Sequence, residues 1–395
     1  MKRQLLHTPE GVRDIYNDEC EKKMLLQDQL YHILRLHGYH PIQTPTFEFF
    51  DIFGREIGTT PSKDLYKFFD REGNTLVLRP DITPSIARCA AKYFGEEELP
   101  IRLCYMGNTF INNSSYQGRL KECTQLGAEL LGDPSVDADA EMISMVISCL
   151  KAAGLKEFQL SIGHADFFRG LMEAAGLLEE QEEELRELIS NKNFFGVEEF
   201  VETLNLEENL KNLFGMLGNL YTGSDELSAA RECAASYPRI LKAIGDLEEL
   251  HKILEVYEVS RYVSFELGTI SNYQYYTGII FAGYTFGSGE AIVKGGRYDR
   301  LLTCFGKDSA SIGFAFVVDQ LMAALQRQKL DVPVERSVEL MVYKPAKRQM
   351  AITAAAAARA AGRCVELMLW DETKQKEDYE DYAARSRMIN VQFFA

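Results

Sequence analysis

No run of this sequence stays apolar for long enough to cross a bilayer. The N-terminal MKRQLLHTPEGVRD passes straight into polar turn residues instead of an apolar core, so no signal peptide is expected. Positive charge is scarce as well. With 43 Lys and Arg against 59 Asp and Glu, the formal net charge is -16, and the global positive field that grips a phosphate backbone is missing, whatever local basic patches exist. The eight cysteines are scattered, with no Cys-x-x-Cys and no Cys/His cluster. Reduced thiols, a cytoplasmic location and no zinc or other metal are the expectation. Gly295-Gly296 follows a strand but is not GxGxxG or any other recognisable nucleotide loop. What is present is ordinary for a soluble globular protein: 395 residues, 46% hydrophobic and 26% charged, enough for two or three domains and at least one sizeable core.

The stretch Ile101 to Gly132 organises the rest. Ile101 to Phe110 reads as a strand, and Asn112, Asn113, Ser114, Ser115 and Gly118 supply turn chemistry. Lys121 to Leu131 reads as the return strand. With period 2, Leu126, Ala128 and Leu130 point one way, and Cys123, Gln125, Gly127 and Glu129 the other. That second side is either a polar face in water or a place where an amide, a carboxylate and a glycine between them receive a small polar ligand. In LRPDITPSIARCAAKYF a strand ends at Arg79-Pro80 and a helix begins, with Thr83 expected as N-cap and Pro84 at its first position. Asp81, in the tight connection, either offers its carboxylate to a ligand amine, caps the helix or closes an Asx-turn.

Elsewhere, helical spacing runs from about Asn17 to His37, with Met24, Leu25, Leu30, Ile33 and Leu34 on the apolar face and Gly38 as terminator. Tyr39 to Phe47 is extended and broken by Pro41 and Pro45, and Leu65 to Asp70 pairs with Thr75 to Leu78 in a hairpin. A helix over Asp137 to Ala153 and a strand over Phe158 to Ile162 precede a stretch, about Ala165 to Glu258, that reads as helices with no strand between them. Its acidic runs are either a solvated face or a partner site. Strands return at Arg261 to Phe265, Ile279 to Phe286, Ala291 to Lys294 and Ser311 to Phe316, and a helix runs to about Gln328. After the linker LDVPVE, Val338 to Ala395 reads as a small α/β module with a parallel sheet.

Taken in order, TPEGVRD, HGYHPIQTP, the hairpin with LRPDITP, the strand pair carrying Gln125 and Glu129, the helical stretch, YYTG, GGRYDRL and SIGFAFVVDQL together resemble histidyl-tRNA synthetase, a class II aminoacyl-tRNA synthetase, over nearly the whole chain. Each motif alone is unspecific; the ordered set is specific. The resemblance implies an α+β fold, with a synthetase-like antiparallel sheet flanked by helices over residues 1–329 and an all-helical insertion at about 165–258. It further implies a shortened anticodon-binding-like α/β module over 330–395, and a homodimer built through the proline-containing first motif.

The departures from that family carry the functional expectation. Adenylation develops negative charge at a phosphate, so fixed cations dominate its catalysis. The family's Phe-Arg-x-Glu is here Phe110-Ile111-Asn112-Asn113. Gln320 stands at the arginine position of the Gly313-Phe314-Ala315 run, Ser271 at a third arginine position, and Cys123 where an aromatic stacks on adenine. By position, the family's histidine pocket persists in Asp81, Thr83, Gln125, Glu129 and Tyr276, while its carboxylate-binding arginine is gone, with Arg119 or Arg297 as substitutes. No catalytic residue and no cofactor are then expected. This pattern is similar to the synthetase paralogues that serve as regulatory subunits of ATP phosphoribosyltransferase. The resemblance implies a short-form catalytic subunit as partner in a hetero-octamer and L-histidine as feedback ligand; the charge balance speaks against tRNA and the lack of a long apolar run against a membrane as partner. The competing expectations are an active histidyl-tRNA synthetase, a free-standing histidine-binding sensor, and a scaffold with a vestigial pocket.

Overall fold

The first helix, α1 (Asn17–Leu36), buries Leu26, Leu30 and Leu34. Met24, expected on that face, is 59% exposed, because the buried stripe runs through positions 26, 30 and 34 and leaves 24 on the far side. Gly38 takes the left-handed φ of +81° that reverses the chain after the helix. The computed structural model describes every residue except 1–5, 55–59, 97–99, 114–118, 271–274 and 335–336, together with all side chains but those and 224–225. The turn residues Ser114, Ser115 and Gly118, and Ser271, therefore lie outside the described residues.

Two compact units make up the chain, Met1–Val332 and Pro333–Ala395. In the first, β1 (His40–Pro41) precedes a small antiparallel sheet of β2 (Phe47–Phe49), β3 (Lys67–Phe69) and β4 (Thr75–Leu78), ordered β2-β4-β3. After α2 (Thr83–Tyr93) come the two long strands β5 (Ile101–Phe110) and β6 (Glu122–Leu131), then α3 (Val136–Ala152) and β7 (Phe158–His164). The helical stretch holds α4 (Ala165–Ala175), α5 (Glu179–Ser190), α6 (Phe194–Glu202) and α7 (Glu208–Gly215). It continues through β8 (Leu220–Tyr221), α8 (Ser228–Cys233) and α9 (Pro238–Val256). The two-residue β8 corrects the expectation of helices alone. It pairs with β9 (Val263–Glu266) and so fastens the insertion to the sheet. The strands β10 (Ile279–Thr285), β11 (Val293–Arg297) and β12 (Ser311–Val317) and the helix α10 (Val318–Arg327) complete the unit.

The main sheet has nine strands in the order β1-β5-β6-β12-β11-β10-β7-β9-β8. Its six central strands are antiparallel throughout, while β1 joins β5 and β9 joins β7 in parallel. The sheet is therefore mixed. The parallel pair β7–β9 follows from connectivity, since the chain leaves β7, crosses through the helices and returns in the same direction. Alternation divides the sheet into two faces. Leu126, Ala128, Leu130, Phe281 and Phe314 pack into the large core with α1, α3 and α9. On the opposite face Leu103, Tyr105, Leu131, Ile280 and Tyr298 form a smaller cluster with Ile82 and Ile86 of α2. The second unit is a parallel three-stranded sheet, ordered β14-β13-β15, of β13 (Val338–Tyr343), β14 (Cys364–Leu369) and β15 (Asn390–Phe394), with helices α11 (Arg348–Ala360) and α12 (Lys376–Arg385). No described helix is long and apolar enough to cross a membrane.

Candidate functional site

The smaller face of the sheet is not apolar throughout. On β6 it presents Gln125, Gly127 and Glu129, and the partners across β12 are Val317, Ala315 and Gly313. A row of small residues thus runs beside two polar side chains. Gly313 has a steric reason to be glycine: a Cβ there would lie 1.5 Å from Glu129 Oε2. At Gly296, the next residue across on β11, a Cβ would lie 2.8 Å from the Tyr276 ring. The two glycines leave the room that the carboxylate and the phenol occupy.

The result is a cavity of about 340 Å³. Asp81, Thr83, Gln125, Glu129 and Tyr276 all line it, together with Tyr298, Ile111, Asn113, Cys123 and Gln320. Residues from three segments far apart in sequence are therefore brought to one place. Thr83, however, is not the helix cap. Ile82 holds the N-cap position of α2 without a side-chain cap, and the Thr83 hydroxyl instead donates to Glu129 Oε1 at 2.8 Å. A second hydroxyl, from Tyr298, donates to Glu129 Oε2 at 2.5 Å. Asp81 accepts the Ile82 N–H at 2.8 Å, so it does close the local turn while also facing the cavity. Tyr275 stands against both Tyr276 and Tyr298, with ring centroids 4.7 and 5.8 Å apart, and makes an aromatic wall.

Both carboxylates are buried, and among the described residues neither meets a cation at ion-pair distance. Burial, with a smaller push from the charge of Asp81, raises the Glu129 carboxyl to about 8 against the hydrogen bonds from Tyr298 and Thr83. Burial likewise raises Asp81 to about 6, partly offset by backbone N–H groups of Ile82 and Thr83. Gln125 adds a buried Oε1 with no donor among the described residues. Two carboxylates and an amide oxygen facing one space make a receptor for a ligand rich in N–H donors and positive charge.

This has a measurable consequence for stability. Above about pH 4.5 the unfolded chain has released the Glu129 proton, whereas the native state holds it until about pH 8. In that window the native state binds more protons, so stability falls as pH rises. Relative to Glu129→Gln, the wild-type protein without ligand should lose up to about 1.4 kcal/mol per pH unit between those limits. Urea unfolding of both proteins at pH 5 and pH 8 measures this, and parallel pH profiles would contradict it.

The two arginines considered for a ligand carboxylate part company. Arg119 lies at the mouth of the cavity, bound to Glu290 at 2.8 Å with both side chains about half exposed. Arg297 is a correction. Its Nε and Nη2 donate to Asp139 Oδ1 at 2.9 and 2.5 Å, and Nη1 and Nη2 to the carbonyls of Asp133 and Ser135 at 2.9 and 3.0 Å. It is 6% exposed and lines a separate charged cleft beside His164 and Asp139. Tyr298, not expected from the sequence, takes the cavity side instead; alternation about Arg297-Tyr298 is the signal that identifies it.

Residues 11–321 match the family model described as histidyl-tRNA synthetase. The chain is 41% identical over 365 residues to an ATP phosphoribosyltransferase regulatory subunit of Acetivibrio thermocellus, covering 92% of this chain and 86% of that one. It is 38% identical over 391 residues to a protein of the same name from Ruminiclostridium cellulolyticum, covering 99% and 93%. Among solved structures, a Bacillus halodurans protein described as an ATP phosphoribosyltransferase regulatory subunit/histidyl-tRNA synthetase superposes with a TM-score of 0.86 at 32% identity, covering 99% of this chain and 98% of that one. Histidyl-tRNA synthetase from Nostoc sp. PCC 7120 gives a TM-score of 0.80 at 17% identity, covering 97% and 90%, which shows the shared fold.

Proposed function

The chain belongs to the ATP phosphoribosyltransferase regulatory subunits, built on the histidyl-tRNA synthetase fold, and from that premise we propose that its carboxylate-lined cavity binds L-histidine and relays feedback inhibition to a catalytic partner. The observation that carries this reading is the pair Asp81 and Glu129, buried together without a cation. Histidine brings an ammonium and a ring N–H, which supply what those carboxylates and the orphan Gln125 oxygen lack. In this reading the site residues are Asp81, Thr83, Gln125, Glu129 and Tyr276, with Tyr298 orienting Glu129.

The protein does no chemistry of its own in this proposal. Adenylation needs cations over the developing phosphate charge, and the described residues lining the cavity offer Arg119, already bound to Glu290, and Lys294. Ile111 and Gln320, which stand where the resemblance places synthetase arginines, also line the cavity. The partner is a short-form ATP phosphoribosyltransferase catalytic subunit, assembled as a hetero-octamer on homodimers, in the cytoplasm and without tRNA. For the homodimer there is an exposed apolar face: Phe47, Phe49 and Phe68, which share one side of the small sheet, are 53%, 55% and 37% exposed. Feedback then follows from linkage. Histidine binds the inhibited assembly more tightly than the active one, and the catalytic subunit changes histidine affinity by the same factor.

Calorimetric titration with L-histidine, alone and with the catalytic subunit, tests the reading. Binding should tighten as pH rises from 6 to 8 and should release protons at pH 7, because the bound ammonium favours the ionised forms of Glu129 and Asp81. Histidine-dependent ATP–pyrophosphate exchange should be absent. Exchange activity would instead establish a synthetase, and no heat in either titration would leave a scaffold.

A further inference from the structure

In the proposed reading the cavity receives an amino acid's positive groups, and its buried ionisable carboxyls, Asp81 and Glu129, are both acidic, so the ligand's own carboxylate must be directed away from them. One rung of the sheet shows where. On the face that carries Glu129, Tyr105, Gly127, Ala315 and Lys294 lie side by side across β5, β6, β12 and β11. The Tyr105 phenol lies over Gly127, where a Cβ would meet its hydroxyl at 2.6 Å, and beyond it Ala315 and Lys294 line the cavity. Lys294 lines the cavity at its far side and reaches solvent. Glu129 and Lys294 are on strands two apart and two residues out of line, roughly 12 Å between backbones at ordinary strand spacing and rise, a gap that a flexible lysine stem and a small amino acid bridge together. Arg119, the other cation lining the cavity, is held by Glu290 at 2.8 Å. Lys294 has no ion pair among the described residues.

We propose that Lys294 is the specificity-determining cation that receives the ligand's α-carboxylate, so that the cavity distinguishes L-histidine from analogues whose carboxylate is removed or masked. This rests on the reading of the cavity as a histidine site. It assigns the ammonium and imidazole to the buried carboxylate end, and the carboxylate to the side where the exposed Lys294 lies. Because Lys294 is exposed, water and salt screen the pair, and its contribution is modest.

The test is calorimetric titration of wild type, Lys294→Met and Lys294→Arg with L-histidine, L-histidine methyl ester and histamine. Lys294→Met should weaken L-histidine about fivefold without weakening the ester or histamine, and Lys294→Arg should stay within about twofold of wild type. Equal losses for all three ligands in Lys294→Met would mean that the lysine merely shapes the cavity, and no loss for L-histidine would mean that it does not meet the carboxylate. Either result overturns the assignment while leaving the histidine site in place. Wild-type protein that binds none of the three ligands would overturn the site itself.

Discussion

Glu129→Gln is expected to weaken L-histidine binding about a hundredfold or more and to shift feedback inhibition of the reconstituted complex to correspondingly higher histidine. The amide keeps the shape and one acceptor for the Thr83 hydroxyl, which donates at 2.8 Å. It removes the charge that answers a ligand cation inside a site 1% exposed. A hydrogen bond to a charged group contributes about 1.5–3 kcal/mol, and cutting one side of a buried charge pair costs about 2–5 kcal/mol, so a hundredfold is near the lower end. The fold should survive, because Glu129 has no cation among the described residues to be left unpaired, and gel filtration with the catalytic subunit should show unchanged assembly. Titration with L-histidine and an inhibition curve on the complex measure the effect. Inhibition unchanged from wild type would show that feedback does not run through this cavity.

Glu129 was legible in the sequence because strand alternation is strict. Once Leu126, Ala128 and Leu130 are assigned to the core, Gln125 and Glu129 have one remaining direction, and β6 places them there. What faces them was not legible. Gly313 is opposite Glu129 through a register set between β6 and β12, strands nearly two hundred residues apart, and no local pattern encodes that pairing. Thr83 carried two expectations, a pocket position by resemblance and a helix cap by its place before proline; the cap is not formed, because its hydroxyl donates to the buried Glu129 carboxylate instead. Arg297 and Tyr298 are neighbours on one strand, so with the Tyr298 hydroxyl on Glu129 the guanidinium is turned to the opposite face and Asp139. The fold shows the same division. The long alternating strands, the helices α3 and α9 and the parallel module from Val338 onward were readable from periodicity. The two-residue β8 is too short to leave a pattern, and the parallel joins at β1 and β9 depend on where the chain returns rather than on what it contains.

Arg297→Met should cost about 3–5 kcal/mol of stability, the range for removing one side of a buried ion pair, and urea unfolding at pH 7 will measure it. The arginine binds Asp139 through two nitrogens and also satisfies two backbone carbonyls at the start of α3. With it gone, the Asp139 carboxylate is left 5% exposed without that cation. Adding Asp139→Leu should restore much of the loss, since an apolar pair removes the uncompensated charge instead of stranding it. The double variant separates structure from recognition. If Arg297 served the ligand carboxylate, a stable Arg297→Met/Asp139→Leu protein would still bind L-histidine poorly. If it locks α3 against β11, with Tyr298 beside it turned to Glu129, the repaired protein should bind L-histidine within about threefold of wild type. The geometry favours the second outcome, because every nitrogen of the guanidinium is already engaged on the side of the sheet away from the cavity.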